Sequence, residues 1–133
     1  MTGAAGRRLT FGARDRVLKS ADFKAAYAAR ARAGDGRLVA YARPNGLDVT
    51  RLGVSVGKRC GGSVQRNRIK RFLREAFRQL RPDLPAGFDI ILVPVARDYT
   101  FAEVERQVRT LVPDAIRRSE RSAKKLPGKA AEP

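Results

Sequence analysis

Between Ile69 and Leu80 the apolar positions are Ile69, Phe72, Leu73, Ala76, Phe77 and Leu80, the three-and-four spacing of one buried helical face. The stretch SVQRNRIKRFLREAFRQL (63–80) is therefore predicted to be a helix, with Ser63 as its N-cap. In SADFKAAYAARAR, Phe23 and Tyr27 stand four apart and share a face, so another helix is expected from Ser20 until the GDG at 34–36 stops it. Strict alternation takes over in RLVAYARP (37–44), where Leu38, Ala40 and Ala42 face one way and Val39, Tyr41 and Arg43 the other. Pro44, Asn45 and Gly46 make a turn. RLGVSVGK (51–58) then places Leu52, Val54 and Val56 on one face, and a hairpin with the preceding strand is the economical pairing.

After the breaker cluster RPDLPAG, the segment FDIILVPVA is a near-continuous apolar run, as expected of a strand covered on both faces. Thr100 to Glu103 reads as a capping box. It opens a helix with Phe101, Val104, Val108, Leu111 and Val112 inward, which Pro113 is expected to kink or restart. The predicted order is αββαβα, with room for an extra strand, in one α+β domain whose sheet is flanked by helices. That domain is expected over 16–120, between a flexible basic arm (1–15) and a disordered polar tail (121–133). The chain contains no internal repeat.

Charge changes the picture of the central helix. Its outer side carries Asn67, Arg71, Arg74 and Arg78 at i, i+4, i+7 and i+11, flanked by Lys70 and Arg81, and only Glu75 answers them locally. Arg66 and Arg68 fall in the first turn, where exposed N–H groups already favour acidic side chains. Like charges without i, i+4 partners repel, so the stripe reads as built for a polyanion. Over all 133 residues, 29 Lys and Arg against 13 Asp and Glu leave 29 − 13 = +16, and with a pI near 11.4 this points to nucleic acid before membranes. No apolar run approaches the roughly 20 residues of a membrane span. MTGAAGRRLTFGARDR lacks the apolar core of a signal peptide, so a cytoplasmic location is expected.

Protein-borne catalysis finds little support. Cys60 is a single cysteine, best read as a small semi-buried filler, and with no histidine there is no Cys/His zinc site and no imidazole acid or base. The carboxylates show no paired spacing. GKRCGGS lacks the GxxxxGK[ST] order that cradles a nucleotide phosphate. No catalytic residue is expected.

The stretch RLGVSVGKRCGGSVQRNRIKRFLREAF resembles the protein component of bacterial ribonuclease P. The resemblance is carried by Arg66, Asn67 and Arg68 followed by Ile69, Lys70 and Arg71, after a strand that ends in Lys58 and Arg59. It extends more weakly from Arg16 through DFKAAY to Tyr41 and onward into the last helix. Gly62 and Ser63 stand where many members have Asn-Ala. The resemblance implies a subunit of a ribonucleoprotein that removes 5′ leaders from precursor tRNA, with the magnesium-dependent catalytic site held mainly by the RNA partner and one protein bound per RNA. It also implies a ferredoxin-like or ribosomal-protein-like fold with a left-handed βαβ crossover, against the general right-handed preference. Lys58, Arg59, Arg66, Asn67, Arg68, Lys70, Arg71 and Arg74 are the expected contact surface for the catalytic RNA. Phe23, Tyr27 and Tyr41, with Arg43 beside them, are the expected site for the single-stranded leader, whose bases can stack without a hydrogen-bond code. The alternative is a structural ribosomal or general RNA-binding protein with no leader recognition. A DNA-binding regulator is disfavoured, since no second helix follows the basic one across a short turn.

Overall fold

The computed structural model describes residues 20–125, the last four as backbone only. The chain runs α1 (Ser20–Ala29), β1 (Arg32–Gly34), β2 (Leu38–Pro44), β3 (Arg51–Val54), α2 (Ser63–Leu80), β4 (Phe88–Pro94) and α3 (Phe101–Lys125), with 3-10 turns at Lys58–Cys60 and Arg81–Asp83. The four strands form one sheet in the order β1-β2-β4-β3. β1 is the additional strand; α1 was expected to continue through Arg32 but ends at Ala29.

The expected hairpin between β2 and β3 does not form. β4 lies between them, antiparallel to β2 and parallel to β3, and α2 supplies the crossover from β3 to β4. The physical reason is β4's composition. Ile90, Ile91 and Leu92 are fully buried, so this strand needs cover on both faces and takes the centre, whereas β2 and β3 each carry an arginine on one side. Leu38, Ala40, Ala42, Leu52, Ile90 and Leu92 meet Ile69, Leu73 and Phe77 of α2 and Val104, Val108 and Val112 of α3 in the main core. α1 packs against the opposite side of β2 and β4.

Local ends differ from the sequence pattern in three places. Gly62, with extended backbone, is the N-cap of α2, and Ser63 lies inside the helix without capping it. Thr100 does accept a hydrogen bond from the Glu103 N–H at 3.1 Å, but the Glu103 carboxylate turns to the Arg37 guanidinium instead of completing the box. α3 continues through Pro113 and on to Lys125, past the expected start of a polar tail at 121. Asp114 pairs with Arg117 and Arg118, and the Arg118 guanidinium donates to the Arg32 carbonyl at 3.2 Å, fastening the C-terminal half of α3 to the edge strand. The expected basic arm (1–15) and residues 126–133 lie outside the described residues.

A buried carboxylate crosses the sheet on the α1 side. Arg43, Asp89 and Arg51 are level on β2, β4 and β3. Asp89 is fully buried. Arg51 grips it through two bonds of 2.8 Å, Asn45 donates at 2.9 Å, and Arg43 donates at 3.2 Å. Asp22 on α1 reaches both arginines at 3.5 Å, so the same network anchors the helix to the sheet. Burial works to raise the Asp89 carboxyl, but the hydrogen bonds from Arg51 and Asn45 and the charges of Arg51 and Arg43 outweigh it and hold the group below its ordinary range.

Because Asp89 titrates lower when folded than its unfolded value near 3.9, its contribution is whole above about pH 5 and is lost as pH falls through the folded value. Asp89→Asn should destabilise the protein by about 3–5 kcal/mol at neutral pH, since two guanidinium groups lose their buried partner. In thermal unfolding at a series of pH values, the gap between wild type and Asp89→Asn should narrow steadily below about pH 4.

Candidate nucleic-acid interface

The cationic face begins before α2. Lys58 and Arg59 are exposed on the 3-10 turn, which closes on Gly61 at φ +119, a backbone state suited to glycine. Cys60 is buried beneath that turn with its thiol directed at the Pro94 carbonyl, and burial pushes the thiol's pKa up. This fits the filler reading. The first turn of α2 contains no acidic residue and its N-cap offers no side-chain acceptor, so its free N–H groups add to the positive potential.

The two arginines of the Arg-Asn-Arg run are separated by about 200° around the helix, so they border the polar face on opposite sides. Arg66 is half-buried, with its Nε buried and unpaired. The Arg68 guanidinium lies 5.3 Å from the Phe72 ring centroid. Phe72 in turn packs edge-on against Phe101 of α3 at 5.8 Å, so a half-buried aromatic at the edge of the core supports an exposed cation. Between these borders Asn67, Arg71 and Arg74 are exposed and Lys70 is half-buried. Arg78 pairs with Glu75 at 3.0 Å. Among the described residues, no carboxylate pairs with Lys58, Arg59, Arg66, Arg68, Lys70, Arg71 or Arg74. The structure thus brings these predicted residues onto one turn and one helix face as bare cations.

A second surface forms on the α1 side of the sheet. Phe23 and Tyr27 lie on one face of α1 with ring centroids 6.3 Å apart, and Tyr27 meets Tyr41 of β2 edge-on at 4.8 Å. All three stand outside the main core, and Tyr27 remains 38% exposed. The convergence expected of these rings is present. Arg43 is placed differently: its guanidinium points into the Asp89 and Asp22 carboxylates, so its charge is neutralised there. Instead Arg30 and Arg32 join Tyr27 and Tyr41 around an open groove of about 450 Å³. Sequence reading missed both because the segment AARARAG looks like a helix end, and three residues of β1 give no readable alternation.

For magnesium the chain's own residues fit poorly. No group of three or more His, Cys, Asp or Glu able to hold a metal exists among the described residues. Asp22 and Asp89 are occupied by arginines. No described helix is long and apolar enough to cross a membrane.

A family profile for ribonuclease P matches residues 11–115. The chain is 36% identical over 105 residues to the ribonuclease P protein component of Clostridium kluyveri, covering 75% of this chain and 93% of that protein. Among solved structures, the RNase P protein of Staphylococcus aureus superposes with a TM-score of 0.65 at 31% identity, covering 75% of this chain and 94% of that one. The RNase P protein from Thermotoga maritima gives a TM-score of 0.59 at 32% identity, over 79% and 97% of the two chains.

Groove and core aromatics should respond differently to truncation. Tyr27→Ala should change folding stability by less than about 1 kcal/mol, as expected for a surface side chain, whereas Phe77→Ala should cost about 3–5 kcal/mol. Denaturant unfolding of the two variants measures this contrast.

Proposed function

The chain belongs to the ribonuclease P protein component family, and on that premise we propose that its two surfaces engage two different RNAs. The protein is the subunit of an endoribonuclease particle that acts in tRNA 5′ maturation, and its partners are the particle's RNA and its tRNA substrate. The observation that carries the proposal is the separation of bare cations on the Lys58 turn and α2 from aromatic rings gathered on α1 and β2.

In this reading Lys58, Arg59, Arg66, Asn67, Arg68, Lys70, Arg71 and Arg74 bind phosphates of the RNA subunit. Arginine forks and the helix N-terminus suit that task without reading sequence. Asn67 differs from its neighbours, since its amide both donates and accepts and so can orient one group within the cationic field. Phe23, Tyr27 and Tyr41 receive the single-stranded 5′ leader of precursor tRNA by stacking, which tolerates varied leader sequences. Arg43 contributes by holding the sheet beneath Tyr41 in place. The RNA subunit carries the catalytic centre and the magnesium that serves it, while the protein contributes binding and positioning. One protein acts per RNA, in the cytoplasm where tRNA is processed. A structural ribosomal protein would share the cationic face but would have no use for a separate aromatic groove.

Protein alone should leave precursor tRNA intact, and adding the organism's RNA subunit at low magnesium should give cleavage at the mature 5′ end. Cleavage by RNA-free protein would contradict the assignment of chemistry to the RNA.

Charge reversal at Arg68 and Arg71 should weaken binding to the RNA subunit and lower the log-log salt slope by roughly 0.7 to 0.9 for each lost phosphate contact. Filter binding across a salt series measures both. An unchanged slope with the fold intact would mark the face as solvated surface.

A further inference from the structure

The aromatic groove ends in two arginines that the fold positions by different means. α1 stops at Ala29, and Arg30 follows at φ +64, in the left-handed region that arginine rarely occupies. The Arg30 N–H donates to the Tyr27 carbonyl at 3.2 Å, so backbone alone closes the turn and the exposed side chain is not needed for it. Glycine would hold this conformation with less strain. Arg32 arrives from β1 directly opposite Tyr41, which places the two side chains as neighbours on one face of the sheet. Neither guanidinium has a carboxylate partner among the described residues. Arg43, two residues along the same strand face from Tyr41, has two.

Rings and guanidinium groups supply different things to a single strand. Stacking accepts any base and therefore does not fix where along the strand it occurs. A phosphate gripped by charge-assisted hydrogen bonds does fix a position. The groove these four residues line, at about 450 Å³, is within the range of small-ligand sites, roughly 300–1,000 Å³. Strain retained at an exposed arginine that the turn does not require is consistent with a task for its side chain.

We propose that Arg30 and Arg32 clamp one internucleotide phosphate of the single-stranded leader and so set the register in which its bases meet Tyr27 and Tyr41. The clamp rests on the leader reading given above. Leaders of different sequence would then be held at one phosphate and differ only in which bases fall on the rings.

The test uses the reconstituted holoenzyme with precursor tRNA, leaderless tRNA, and precursors carrying a neutral methylphosphonate at one leader position at a time. Arg30→Gly should raise the melting temperature of the free protein by a few degrees and weaken precursor binding by roughly tenfold, with leaderless tRNA bound as before. A structural residue would move stability and binding in the same direction. Arg32→Gln should weaken precursor binding to a similar extent. In wild type one methylphosphonate position should reproduce the loss, and at that position the double variant Arg30→Gly/Arg32→Gln should lose nothing more. Tyr27→Ala separates the two levels of the reading. If Tyr27→Ala weakens precursor binding while both arginine variants and every methylphosphonate bind normally, the clamp is overturned and the leader groove survives. If Tyr27→Ala also leaves precursor binding intact, the leader reading falls and the clamp with it.

Discussion

A single buried carboxylate holds this architecture in order. Asp89 lies on the central strand between an arginine of each neighbouring strand, with an asparagine from the β2–β3 loop completing its hydrogen bonds. A lone carboxylate at that depth would be strongly disfavoured; paired on both sides, it favours the β2-β4-β3 arrangement over a β2-β3 hairpin, which would leave it without its flanking cations. Asp22 extends the network to α1, and α1 carries Phe23 and Tyr27 to Tyr41. The groove therefore depends on an ion network that adjoins its rings, with Asp22 next to Phe23 and Arg43 two residues from Tyr41.

The same economy governs the rest of the charge. With 13 acidic residues against 29 basic ones, the placement of each carboxylate decides which cations stay available. Asp89 and Asp22 hold Arg43 and Arg51, Glu103 and Asp98 hold Arg37, and Asp114 holds Arg117 and Arg118. Those arginines stabilise junctions between elements or turns of α3. Among the described residues, Lys58, Arg59, Arg66, Arg68, Lys70, Arg71 and Arg74 have no such partner, and neither do Arg30 and Arg32. Repulsion along α2 is tolerated because its inner face buries Ile69, Leu73 and Phe77 against the sheet, and tertiary packing rather than local pairing supplies most helical stability.

Much of this was legible in the sequence where one period dominated. The inner face of α2, the alternation of β2 and the apolar run of β4 each matched their burial, because a buried face leaves a regular trace. Pairing order was not legible. The hairpin expected between β2 and β3 followed proximity along the chain, whereas the observed order follows from Asp89 and from β4's need for cover on two faces, both of which are long-range facts. The interface divided in the same way. The RNR run and the three aromatics could be picked out by type and spacing, but Arg43 looked available because its carboxylate partners are far off in sequence. Arg30 and Arg32 were overlooked because their placement depends on a left-handed residue and a three-residue strand that no periodicity announces.

In the proposed division of labour, the two surfaces face different RNAs within one particle. This division is tested most directly by installing a photo-crosslinking side chain in place of Tyr41 or Arg71 in otherwise intact protein, assembling each with the RNA subunit and precursor tRNA, and sequencing the captured RNA. Leader nucleotides should be captured from position 41 and RNA-subunit nucleotides from position 71. Capture of the same RNA from both positions, or capture at position 41 of the mature tRNA body alone, would contradict it.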